Sequence, residues 1–183
     1  KAQDPAFSQF FANPLYLNPA MAGTNICPRV SLNHRNQWPG IGKTYVTYSA
    51  SYDQYVDKLG GGLGFGVAKD VAGAGNLNTT HISASYAYRL KINKKLFVNA
   101  GFEAAYRQLG IDWQNLTFGD MIDPVQGFIY PTNEDIVNYS NSKGFTDFAA
   151  GFMGFGNANN QFDYYFGFAA HHITMPDQGF IGE

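Results

Sequence analysis

An all-β fold, an antiparallel barrel built to cross a membrane, is what this sequence predicts, and three observations predict it. Charged residues make up only 14% of the 183, against about a quarter in ordinary soluble domains, while aromatics reach 16% and glycines number 21. Seven runs alternate large apolar side chains with small or polar ones at period two. Between the runs, short turns and long loops tend to alternate, which is the asymmetry of an outer-membrane barrel with periplasmic turns and outward loops.

The totals exclude several other classes. No run of about 18 apolar residues exists, so a transmembrane helix is ruled out, whereas barrel strands need only about 9–11 residues each. Alternation keeps average hydropathy near neutral, and the mean hydropathy here is −0.24. A net charge of −2 offers no basic field, so nucleic acid is not an expected partner. Cys27 is the one cysteine, so no internal disulfide forms, and no zinc site or other cofactor site is spelled out. Its expected role is that of a small packed residue. The length fits one domain with a sizeable core.

The chain divides at residue 28. Residues 3–23, QDPAFSQFFANPLYLNPAMAG, are apolar and aromatic, yet Pro5, Pro14 and Pro19 leave no room for a regular helix or a central strand. Buried backbone without regular pairing must borrow hydrogen bonds, here from Asn13, Asn18 and an enclosing wall. Residues 1–28 are therefore expected to form an inner plug, and residues 29–183 the wall. Lys1 and Ala2 read as the tail of a cleaved export signal, with Gln3 the mature start.

In the wall, residues 29–35 set Arg29, Ser31, Asn33 and Arg35 against Val30, Leu32 and His34. Residues 45–53 set Val46, Tyr48, Ala50 and Tyr52 against Thr47, Ser49, Ser51 and Asp53. The third run opposes Leu63, Phe65 and Val67 to Gly62, Gly64 and Gly66, a face bare enough for a plug to approach. The glycines lack the Lys-Ser/Thr ending and following helix of a phosphate loop. Residues 81–90 and 96–107 carry the clearest alternation; residues 145–155 are apolar on both faces apart from Asp147; residues 162–172 alternate again. Tyr52, Tyr88 and Tyr164 fall near the strand ends expected to face the periplasm, as in an interfacial girdle. Seven strands cannot close an even-numbered barrel, so the chain is expected to be a fragment lacking the strands that would close the sheet.

Three blocks carry a resemblance: the one already quoted, NHRNQWPGIGKTYVTYSASYDQ from Asn33, and LTFGDMIDPVQGFIYPTNE from Leu116. Together they resemble the PorP/SprF family of type IX secretion system outer-membrane proteins, over essentially the whole chain. The resemblance implies a barrel of the long-chain fatty acid transporter type, of which this chain holds about half of the strands, and whose plug carries an Asn-Pro-Ala motif, matched here by Asn18, Pro19 and Ala20 alongside Asn13 and Pro14. It implies a multi-pass outer-membrane protein that docks or escorts cargo such as gliding adhesins. Its implied partners are the main translocon subunit, the periplasmic ring proteins, cargo bearing a C-terminal sorting domain, and membrane lipid. An alternative by the same kinship is a channel for small hydrophobic ligands.

Candidate site residues follow from the pattern. Glu103 and Arg107 share a face but lie about 13 Å apart along a strand, so each needs a neighbour on another strand. With His81 they are expected to form a polar network in the lumen. His81 near Ser83 and Ser85 does not formally exclude a hydrolase, but an inward polar face is what any barrel requires, so no catalytic residue is assigned. His171 and His172, adjacent in a strand, would point to opposite faces and so offer no metal site. Residues 108–143 form a long connection rich in apolar side chains and are expected to fold over something. Trp113, Phe118, Asp120, Met121, Phe128 and Tyr130 are its candidate partner-binding residues. The acidic residues Asp120, Asp123, Glu134 and Asp135 lack the spacing of a known calcium loop.

Overall fold

The computed structural model describes residues 10–25, 27–40, 45–73, 77–93, 95–113, 116, 118–123, 127–128, 130–132, 140–159 and 162–175. The expectations placed on Lys1, Ala2, Gln3, Glu134 and Asp135, and on the side chains of Asp123 and Phe128, lie outside the described residues. Among these residues nine strands run: β1 (Arg29–Gln37), β2 (Tyr45–Val56), β3 (Gly61–Ala72), β4 (Leu77–Lys91), β5 (Leu96–Ile111), β6 (Ile122–Asp123), β7 (Gly127–Phe128), β8 (Ser142–Asn159) and β9 (Phe162–Ala170). Seven of them form one antiparallel meander, β1-β2-β3-β4-β5-β8-β9, curled into a half-barrel; β6 and β7 pair inside the long connection.

Period two becomes two faces because the pairs from β1 to β8 keep register over their length, while β8–β9 shifts only near its ends. Asp53, Gly64, Ser85, Glu103 and Ala149 fall on the inner face, in step with the register Asp53↔Gly64, Gly64↔Ser85, Ser85↔Glu103 and Glu103↔Ala149. The outer face carries exposed Leu32, Phe65, Ile82, Phe102, Phe152 and Phe168. In β8, where the sequence left the faces open, register with β5 settles them: Asp147, Ala149, Gly151, Met153 and Phe155 point inward. Cys27, expected to be packed, is exposed. It lies in the link before β1, where no partner strand covers it.

The outer band has the height a bilayer demands. Along β5, Leu96, Val98, Ala100, Phe102, Ala104 and Tyr106 follow one another on the outer face, a run of about 33 Å, or about 25 Å once tilted by the roughly 40° of a barrel strand. Past that run Gln108 stands on the outer face of β5, in register with Thr80, Lys69 and His34 and with aromatic Tyr48 on the same line. Exposed Tyr52, Tyr88 and Tyr164 sit toward the opposite ends of their strands, while Trp38 packs edge-on against Tyr45, 5.6 Å between centroids, at the loop end. Phe102, stacked on Phe148 at 5.6 Å, lies in mid-band. Phe102→Arg is expected to destabilise the barrel in a bilayer by about 2–4 kcal/mol, measured by reversible urea unfolding in vesicles.

Candidate functional site on the inner wall

The N-terminal segment crosses the concave face of this sheet. Pro14 opens a four-residue helix, α1 (Pro14–Leu17), and Pro19 opens a 3-10 turn, Pro19–Met21. Proline suits a first turn, where its fixed φ is already helical and its missing N–H has no partner to lose. The prolines thus leave single turns rather than the irregular coil expected. Asn18 caps the second turn by accepting from the Ala20 amide at 2.9 Å, and its Nδ2 donates to the Phe152 and Phe168 carbonyls at 3.2 and 3.3 Å. Asn13 exchanges bonds of 3.3 Å with the hydroxyls of Ser49 and Ser51. Leu15, Pro19 and Ala20 are buried, Leu15 against bare Gly64.

A clamp of charged and amide side chains grips the rear of this segment at the short-turn end. Arg29 pairs with Asp53 through Nε at 2.8 Å and Nη2 at 3.0 Å, and Nη2 also donates to the Met21 carbonyl at 3.2 Å. Asp53 accepts from the Gly23 amide at 2.9 Å. Arg89 donates to the Gly23 carbonyl at 2.8 Å, its guanidinium 4.7 Å from the Tyr55 ring centroid, and Asn99 donates to the Ala20 carbonyl at 3.1 Å. These bonds satisfy backbone groups that no strand or helix pairs, and those to charged side chains contribute about 1.5–3 kcal/mol each. Gly62 and Gly101 let the backbone lie directly on the wall: a Cβ on either would overlap Ala22 or Ala20.

Toward the loop end the inner wall is charged. His81 faces Arg107 across the β4–β5 pair, and Glu103 stands opposite Ser85, hydrogen-bonded to Ser83. Arg107 finds its partner on the next strand, with Nε 3.6 Å from Oδ2 of buried Asp147. Asp147 also accepts from His172 Nδ1 at 2.6 Å and Thr174 at 3.1 Å. The residues singled out as plug and as lumen network meet here, since Asn13, Ser49, Ser51, His81, Ser83 and Glu103 line one cavity of about 20 Å³. That is room for a single water.

His171 and His172 depart from the expected opposite faces. The strand ends at Ala170, and pairing resumes one residue late, the Ile173 amide donating to the Phe148 carbonyl at 3.0 Å. His172 takes up the extra residue at φ 56°, so its imidazole meets Asp147 while that of His171 meets the Leu17 carbonyl at 3.3 Å. Parity with Gly167 and Ala169 already places His171 on the inner face, and the bulge turns His172 inward beside it.

The long connection spans residues 112–141, shorter than expected because β5 runs on to Ile111. Trp113 donates to the Ser140 carbonyl at 3.0 Å, closing its base. Above it, Phe118 precedes the turn Gly119–Met121, its amide 3.4 Å from Met121 Sδ, and Thr132 binds the Asp120 carboxylate at 3.1 Å. Ile122 and Tyr130 stand exposed. Sequence reasoning did not single out Arg29, Asp53, Arg89 and Asn99; the available signal was charge or amide at inward positions near the strand ends.

No helix among the described residues is long and apolar enough to cross a membrane, and no cluster of three metal-ligating side chains occurs among them. The family model for the type IX secretion system membrane protein PorP/SprF matches residues 1–182. No curated protein and no solved structure matches the chain.

Proposed function

The chain belongs to the PorP/SprF family of type IX secretion system membrane proteins, and from that premise we propose that it acts in the outer membrane as a non-enzymatic barrel that docks or escorts secreted cargo. One observation carries this reading. The N-terminal segment is bonded across the inner wall from β2 to β9, which supports its reading as a lumen plug and, with it, the outward loops as the place to meet partners. In that orientation the turns after β2, β4 and β8 face the periplasm, and the loop with exposed Ile122 and Tyr130 faces outward. Such apolar and aromatic side chains on a short hairpin suit a protein contact. The partners we propose are the main translocon subunit, the periplasmic ring and cargo with a C-terminal sorting domain.

Co-purification from native outer membranes in mild detergent, using the full-length protein tagged at its far end, tests this. Recovery of a translocon subunit or an adhesin-like cargo is the expected result. The double change Ile122→Ala and Tyr130→Ala is expected to cut that recovery at least about tenfold, the effect of losing one or two interface anchors, with the barrel still folded. Recovery of a folded barrel alone, repeatedly, would overturn the docking role. It would favour a channel for small hydrophobic ligands, a reading supported by the inward, apolar group of Met153, Phe155 and Tyr165, the last two rings 5.8 Å apart.

A further inference from the structure

The net charge of −2 hides a polarity along the barrel axis. Residues 112–141, the long connection, hold five acidic residues and no lysine or arginine, whereas residues 89–95, RLKINKK, hold four of the chain's twelve basic residues and no acid. No aspartate or glutamate occurs between Asp70 and Glu103. The basic stretch joins β4 to β5 at the short-turn end.

Arg89 donates to the Gly23 carbonyl and belongs to the clamp. Lys91 and Lys95 are exposed, and among the described residues neither has a carboxylate partner. Lys58, on the turn before β3, stands next to exposed Asp57, and Asp163 on β9 accepts from Asn157 Nδ2 at 2.7 Å. The turn that carries the two lysines is fixed. The Ile92 and Asn93 amides donate to the Leu96 carbonyl at 3.0 and 3.2 Å, the Lys95 amide donates to Asn93 Oδ1 at 2.8 Å, and the Asn157 amide donates to the Lys95 carbonyl at 2.9 Å. Ordered backbone beneath the cations lowers the entropy lost when a partner binds them.

Parity decides what they face. Lys91 pairs with Phe97, Phe97 with Phe155 and Phe155 with Tyr165, so one row crosses β4, β5, β8 and β9 on the concave side. Lys91 Nζ lies 5.8 Å from the Phe97 ring centroid, within cation–π range. The bond from Asn157 extends the β5–β8 register to Lys95, which therefore shares the parity of Phe97. The clamp begins one row deeper, at Arg89 and Asn99. Lipid meets the convex side, where Tyr88 and Leu90 are exposed; a row of cation and rings on the concave side meets what covers the mouth of the barrel. Carboxylates complement the lysines and apolar side chains complement the rings, and a polypeptide carries both.

We propose that Lys91, Lys95 and the row from Phe97 to Tyr165 form a docking ledge for an acidic segment of a partner protein, reached from the side of the short turns. The inference rests on the orientation that places these turns in the periplasm, and deepens it by giving the chemistry of the partner met there.

The full chain in nanodiscs of zwitterionic lipid is titrated with a short fluorescent peptide of glutamates interspersed with phenylalanines, and with the same peptide carrying glutamine for glutamate. The glutamate peptide is expected to bind at least about tenfold more tightly, a preference that added salt weakens. The double change Lys91→Glu and Lys95→Glu, at exposed positions, is expected to abolish the preference with the barrel still folded. Lys69→Glu, at the loop end of β3, is expected to leave it intact. Equal binding of the two peptides, or an unaltered preference in the double variant, would overturn the ledge. Phosphatidylglycerol retained by the detergent-purified protein and lost in the double variant would also overturn it, by assigning the lysines to lipid headgroups. A failure of the orientation shows separately. With Cys27→Ser as background, Asn93→Cys would then react with a membrane-impermeant maleimide on intact cells, whereas a periplasmic turn is labelled only once the outer membrane is opened.

Discussion

Asp53→Ala is expected to lower the stability of the folded barrel by about 2–3 kcal/mol. The carboxylate is 2% exposed, accepts two bonds from Arg29 and one from the Gly23 amide, and sits where the N-terminal segment passes into β1. Removing it leaves the buried Gly23 N–H and a partly exposed guanidinium without their acceptor. The loss is therefore that of an unsatisfied buried donor together with a charge-assisted bond. Asp53→Asn keeps an oxygen for Gly23 and loses the charge, so it should fall between. Exposed Asp57, four residues on, provides the control: Asp57→Ala should change little. Urea unfolding followed by tryptophan fluorescence ranks the three, and equal midpoints for Asp53→Ala and Asp57→Ala would show that the clamp holds nothing.

The faces of most strands were legible because inside and outside differ in chemistry at period two. In β4 and β5 the serines, Glu103 and Arg107 alternate with Ile82, Tyr86, Phe102 and Tyr106, and a one-residue slip would put charges into lipid. β8 was not legible for a reason the structure supplies. Of its inward residues, Gly151 lies beside Asn18 of the N-terminal segment and Phe155 beside the Tyr165 ring, so apolar residues fall on both faces and polarity does not mark the inner one. The bulge at His172 was illegible too, since positive φ is usually announced by glycine or asparagine and here falls on a histidine. The clamp lies between these cases. Asp53, Arg89 and Asn99 could be placed on the inner face by parity, but their common partner, the backbone from Ala20 to Gly23, is 30 to 79 residues away and leaves no local motif.

Gly62→Val and Gly101→Val are expected to open the lumen without unfolding the wall. A Cβ on Gly62 would stand 2.6 Å from the Gly23 Cα and overlap the Ala22 carbonyl; one on Gly101 would stand 2.5 Å from the Ala20 Cα. Those neighbours are backbone, bonded to the same wall by Arg29, Arg89 and Asn99, so they cannot step aside as a side chain tip would. The strands themselves accept valine readily, since a β-branched residue suits a pleated surface. The strain therefore falls on the segment, and an overpacking penalty of about 1–3 kcal/mol shifts it off the wall by about 5- to 150-fold. Gly66→Val separates this effect from the loss of a glycine as such. There the added Cβ meets only the Ser83 hydroxyl, at 2.8 Å, which can rotate away, and the segment should stay seated. Single-channel recording in planar bilayers then has a clear order: Gly62→Val and Gly101→Val conduct, Gly66→Val and the unaltered protein do not. If all four are silent while the two bulky variants remain folded, the segment does not close the lumen. If Gly66→Val conducts as well, the glycines serve the strand and not the contact.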